Sequence, residues 1–154
     1  MRTQRGFTLV ELIVTVSILV ILLGFITIGL DRSQQGASLA SAQEELVTDL
    51  TQQQLKAMIG DTEGRSSSNS YGIHFDSNQY VIFHGATYSS SDSSNTIITL
   101  DNNLQFNNPN FDVIFSKLSG TTSARIIYMQ EKNSSKLKQI HLNIFGVVNQ
   151  VDSL

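Results

Sequence analysis

The 154-residue chain contains no cysteine, no tryptophan and a single proline. Without cysteine it has no disulfide staples, no thiolate metal site and no cysteine nucleophile, whatever compartment it occupies. Charge is scarce too, with 13 acidic and 10 basic side chains and a net charge of −3. That mild acidity argues against a general nucleic-acid binder, whose phosphate contacts need a basic surface. Enzyme signatures are missing: there is no Walker loop, no G-x-S-x-G, no H-E-x-x-H and no histidine and acid paired at ligand spacing. No catalytic residue, metal or cofactor is therefore expected. The length allows one domain of ordinary size and little else.

What the chain does have is unevenly spread. Residues 6–30, GFTLVELIVTVSILVILLGFITIGL, hold one ionisable side chain, Glu11. A 20-residue helix rises about 30 Å, the thickness of a bilayer's hydrocarbon core, so this run is long enough to span. Arg2 and Arg5 precede it, while Asp31 and Arg32 follow. That asymmetry keeps the N-terminus in the cytoplasm and sends everything after about residue 31 outside. A secretory signal peptide has the same order of charges, but its apolar core is only about 7 to 15 residues long and ends at small residues. Here the edge is Thr27-Ile28-Gly29-Leu30-Asp31, a poor cleavage site. A plain signal anchor tethering an outside domain is the other reading, and it leaves Glu11 unexplained.

An acid within an apolar helix costs about 2.5 to 3.5 kcal/mol at the bilayer centre, less toward the interface, and such residues usually have partners. Glu11 lies one turn beyond Gly6-Phe7, near the cytoplasmic edge, where it either reaches water or finds a counter-charge. Cutting the chain between Gly6 and Phe7 would create that counter-charge. The new α-ammonium of Phe7 would sit at the inner edge of the membrane, and Glu11 of a neighbouring subunit could pair with it. Side-by-side assembly of helices would follow from charge neutralisation.

These residues resemble a family. Arg5-Gly6-Phe7-Thr8-Leu9-Val10-Glu11-Leu12, followed by the apolar run, is similar to the class III leader and N-terminal segment of type IV pilins and pseudopilins. The resemblance covers residues 1 to about 30. It implies that a prepilin peptidase cuts after Gly6 and N-methylates Phe7, leaving Glu11 as the fifth mature residue. Physically, Gly6 leaves the scissile bond open to close backbone approach. Thr8 suits a helix cap, its hydroxyl accepting an orphan N–H. Gly24 and Gly29 weaken the helix by about 1 kcal/mol each relative to alanine, and serve either stretching on assembly or close helix packing.

Beyond the membrane the helix is expected to continue over 38–59, where apolar residues at 39, 42, 46, 50 and 57 form a stripe with acids between. Gly36 allows a kink, and Gly60 and Gly64 supply the stop. Unbroken, residues 8 to 59 would make a rod of roughly 75 to 80 Å. The stripe needs a sheet to cover it. Gln52, Gln53 and Gln54 read as solvated surface.

From residue 65 onward, short apolar runs alternate with Ser, Asn and Gly. Strands are expected at 71–76, 79–85, 96–100, 111–116, 124–130 and 137–145, with a further one at 147–151. Turns fall at 76–79, 119–121 and 132–135, and Ser-rich loops at 65–70 and 86–95. If Ser77 and Asn78 centre the first turn, Tyr71, Ile73 and Phe75 share a face with Tyr80 and Ile82, and that face should pack on the helix stripe. The same register puts His74 and His84 on opposite faces, against a two-histidine metal site, and leaves His141 alone. The fold class is thus α+β: a long N-terminal helix, transmembrane and then amphipathic, packed on an antiparallel β-sheet head. Its parts are a leader (1–6), an assembly helix (7–30), an amphipathic continuation (31–60) and a β head (61–154).

The head carries a second resemblance. The long helix, Tyr71-Gly72-Ile73-His74-Phe75, Tyr80-Val81-Ile82-Phe83 and Ile140-His141-Leu142-Asn143-Ile144-Phe145-Gly146 are similar in order to the H-type minor pseudopilins, the GspH and FimT group. Some members of that group bind DNA through a basic GRxR motif. The matching positions here, Gly146-Val147-Val148-Asn149, lack both arginines. Residues 113–154 do carry five cations against Glu131 and Asp152, an excess also explained by lysines guarding edge strands.

The resemblance implies a minor pilin-like subunit of a type IV pilus or type II secretion pseudopilus, placed at or near the filament tip. Its implied partners are prepilin peptidase, other pilins and an inner-membrane assembly platform; nucleic acid is not an expected partner, since both arginines of the basic motif are absent at Gly146-Val147-Val148-Asn149. It would stand in the cytoplasmic membrane, N-terminus inside, before joining a filament at the cell surface. Two other readings are a DNA-receptor minor pilin of an uptake apparatus and a signal-anchored surface binding domain that never polymerises.

Overall fold

The computed structural model of the chain describes residues 8–134 and 136–153, and for 24–37 and 153 the backbone alone. One helix, α1 (Leu9–Ile59), is followed by eight strands: β1 (Tyr71–Phe75), β2 (Gln79–His84), β3 (Thr96–Thr99), β4 (Leu104–Phe106), β5 (Phe111–Phe115), β6 (Arg125–Glu131), β7 (Leu137–Leu142) and β8 (Val148–Ser153). The chain divides into two units, Met1–Ala37 and Ser38–Leu154.

In the first unit α1 begins where its cap chemistry dictates. Thr8 Oγ1 accepts the Glu11 amide at 3.2 Å, and the Thr8 carbonyl accepts the Leu12 amide at 3.2 Å, opening the helical ladder. Threonine followed three residues later by glutamate is the spacing of a capping box. The helix is assigned continuously through Gly36, where the sequence allowed a break.

In the second unit α1 ends in a Schellman motif. Gly60, at φ +66°, gives its amide to the Ala57 carbonyl (3.2 Å), and the Asp61 amide reaches the Lys56 carbonyl (3.0 Å). Leu39, Leu46, Leu50 and Ala57 are buried along one stripe, as periodicity requires. The stripe also includes Gln53, which is 1 % exposed, so its reading as solvated surface is corrected. Positions 46, 50, 53 and 57 alternate by four and three, the spacing of one helix face. Gln54 is engaged as well: its Nε2 donates to the carbonyls of Phe145 (2.6 Å) and Gly120 (3.3 Å).

Two four-stranded antiparallel sheets complete the head, in the orders β3-β2-β1-β5 and β4-β6-β7-β8. Ile73 stands opposite Ile82 and Phe75 opposite Tyr80, so the inner face of the first hairpin is the one expected. Tyr71, Ile73, Phe75 and Tyr80 join the helix stripe in one core with Leu104, Phe106, Ile127, Met129 and Ile140 of the other sheet. β4 was not foreseen, being three residues long with two of them apolar. The run at 137–145 stops at Leu142 because Asn143 turns the chain. Its Oδ1 accepts the amides of Phe145 (2.9 Å) and Val147 (3.1 Å), and Gly146 follows at φ +78°.

Gly146 is required there twice over. Its φ lies in the left-handed region, and an added Cβ would stand 2.4 Å from the Gly120 carbonyl oxygen. Gly146→Ala is expected to destabilise the head by about 1 to 3 kcal/mol. Urea unfolding of the full chain in detergent checks this, and a loss below about 0.5 kcal/mol, the range of ordinary surface changes, would contradict it.

Candidate processing and assembly segment

The N-terminal device can be followed from Thr8 onward; Gly6 and Phe7 lie outside the described residues. Residues 9–23 are exposed on every side of α1, including Leu9 at 73 % and Val10 at 69 %. A helix apolar all round finds its place inside a bundle or a membrane rather than in water. Its hydroxyls are satisfied internally, Thr15 Oγ1 donating to the Leu12 carbonyl (2.9 Å) and Ser17 Oγ to that of Ile13 (2.7 Å). Glu11 occupies the third helical position. A carboxylate there interacts favourably with the helix dipole and leaves the side chain exposed for a further partner. Among the described residues no helix is long and apolar enough to cross a membrane. The apolar run of the sequence continues past residue 23 into positions whose side chains lie outside the description.

In the head, the histidines fall as the register demanded, His74 and His84 on opposite faces of the first sheet. His74 nevertheless has acidic company. Its Nδ1 lies 2.6 Å from Asp112 Oδ1 and its Nε2 3.4 Å from Asp76 Oδ1, while Tyr88 stacks on the ring at 4.0 Å. Pairing of β1 with β5 sets His74 opposite Asp112, a juxtaposition that sequence spacing does not reveal. Through its Nδ1 contact with Asp112 the His74 ring links β1 to β5. His84 lies in the wall of a cleft, where burial pushes its pKa below the ordinary value and Arg65 adds to the shift. His141 is not alone, for its Nε2 lies 3.5 Å from Asp152 Oδ2 across β7 and β8. Among the described residues no group of three or more acids and histidines is arranged to hold a metal ion.

Other charged groups serve local structure. Glu63 receives Lys56 Nζ and Arg65 Nη1, both at 2.7 Å; the Lys56 hydrogen bond is the main cause of its lowered pKa. Burial, then the 2.6 Å bond to Asp49, raises the Tyr80 hydroxyl far above its usual range. On the more basic tail third, Lys132 Nζ is bonded to the Asn102 carbonyl (2.8 Å) and Arg125 lies 4.5 Å over the Phe111 ring.

Comparison with known families finds a match to the prokaryotic N-terminal methylation motif over residues 1–27. No curated protein and no solved structure matches the chain. The motif marks a type IV pilin-like substrate of prepilin peptidase, a class built to be processed and assembled. The α+β fold, with its N-terminal helix and antiparallel sheets, is pilin-like.

Proposed function

We propose that the chain is a minor pilin-like subunit, a pseudopilin of the GspH/FimT type, that acts through assembly rather than catalysis. Prepilin peptidase removes residues 1–6 by cutting between Gly6 and Phe7, and Phe7 is then N-methylated. The trimmed chain stands in the cytoplasmic membrane on residues 7–30, with residues 31–154 outside. An inner-membrane assembly platform passes it into a type IV pilus or type II secretion pseudopilus, at or near the tip. Phe7 and Glu11 are the working residues: the freed ammonium of one subunit meets the carboxylate of its neighbour, and both charges leave water together. Such a pair is favourable only when both members are present, since a lone charge in a desolvated site costs several kcal/mol.

The observation that carries this reading is the methylation motif over residues 1–27, within which residues 9–23 of α1 are exposed on every side and carry Glu11 as their one acid. Co-expression with a prepilin peptidase is expected to shorten the chain by residues 1–6, and Gly6→Ala to block the cut by placing a methyl group at the scissile bond. Unchanged mass beside an active peptidase would leave only a tethered β head.

A further inference from the structure

β3 is an open edge of the first sheet, pairing with β2 on one side only. Its sequence, Thr96-Ile97-Ile98-Thr99, has no charge and no proline, and Ile97 is 61 % exposed. Natural edge strands usually carry lysine, proline or a bulge, because unpaired N–H and C=O groups otherwise recruit another strand. This one is unguarded in sequence.

Beside that edge lies a cleft of ≈ 330 Å3 between the sheet and α1. Thr96 and Ile98, which stand opposite Ile82 and Tyr80 of β2, line it from the sheet side. Glu45, Asp49 and Gln53, spaced by four residues along one side of α1, line it from the other. Gln53 is 1 % exposed, and its Oε1 has no hydrogen-bond partner among the described residues. Lys56 also lines the cleft, but its ammonium is bonded to Glu63 at 2.7 Å. The α1 wall is therefore acidic: Glu45 and Asp49, the latter already accepting the Tyr80 hydroxyl at 2.6 Å, stand beside the unpartnered Gln53 Oε1, while the lysine of the lining is neutralised by Glu63.

We propose that β3 and this cleft form a docking edge for an extended segment of another protein, which adds to β3 as a strand and places a lysine or arginine side chain in the cleft. Strand addition supplies main-chain hydrogen bonds, and the pocket beside the edge supplies specificity. Side chains alternate along a strand, so the fitting segment alternates cations facing Glu45 and Asp49 with β-branched residues beside Ile97. A second copy of this chain does not supply it. Among the described residues its other edge strands carry no cation: β4 is Leu104-Gln105-Phe106, while β5 and β8 each hold one acid, Asp112 and Asp152.

The test uses the full chain in detergent micelles and a fluorescent heptapeptide alternating valine and lysine, with a glutamate-for-lysine peptide as control. The lysine peptide is expected to bind and to slow amide exchange over residues 96–99. Binding should weaken roughly tenfold with the glutamate peptide, with Glu45→Lys and with the exposed-edge variant Ile97→Lys. No binding, equal binding of the two peptides, or binding without protection of 96–99 would each overturn the proposal. Docking is read on the unassembled chain, so its failure leaves cleavage at Gly6 and Phe7 untouched.

Discussion

Glu11→Gln is expected to yield a chain that is cut and methylated normally yet enters filaments poorly, at least roughly tenfold below the parent chain. The substitution separates two roles that Glu11→Ala would merge. Glutamine at the third helical position serves a capping box as glutamate does, so the Thr8 cap, whose Oγ1 accepts the Glu11 amide at 3.2 Å, stays intact. Only the charge is lost. If assembly depends on pairing this carboxylate with a neighbour's freed amine, removing one partner leaves the other charge buried and unpaired, a cost of about 2 to 5 kcal/mol. Glu11→Ala should fail to a similar degree. Purified filaments probed for the subunit, with the processed chain measured in membranes as the reference, give the result. Normal incorporation of Glu11→Gln would show that Glu11 serves the helix start alone.

The second large effect is on stability. Phe75 is fully buried where both sheets and the helix meet, stacked on Phe111 at 4.6 Å and edge-on to Phe106 at 5.1 Å. Phe75→Ala removes those contacts and opens a cavity that rigid strands on either side cannot close, so a loss of about 3 to 5 kcal/mol is expected. The melting midpoint of the head should fall by about 10 °C or more. Phe145→Ala provides the contrast: Phe145 is 64 % exposed, and its removal should change stability by less than about 0.5 kcal/mol. Similar losses for the two variants would mean that the core has been misplaced.

How much of this was legible beforehand differs along the chain. The N-terminal segment is written locally: a glycine before phenylalanine, an acid four residues on and an apolar run need no tertiary partner to be read. The first hairpin was also legible, because a two-residue turn at Ser77 and Asn78 sets the register of both strands, and alternation then decides which side chains face the helix. What failed depended on distant contacts. β4 exists because Leu104 and Phe106 find a partner strand in β6 and sink into the core, not because three residues announce a strand. Gln53 was misread since polarity outweighed its position on the buried stripe. The His74 and Asp112 contact spans 38 positions and needs the pairing of β1 with β5, which no local pattern contains. Likewise the division into two sheets follows from strand order, and periodicity is silent about order.

Most direct of all is the intact mass and N-terminal peptide of the chain recovered from cells that carry prepilin peptidase. A polypeptide beginning at an N-methylated Phe7, without residues 1–6, is expected. A mature chain still starting at Met1 in the presence of active peptidase would contradict the mechanism, because no amine would then be available at Phe7 for Glu11 to meet.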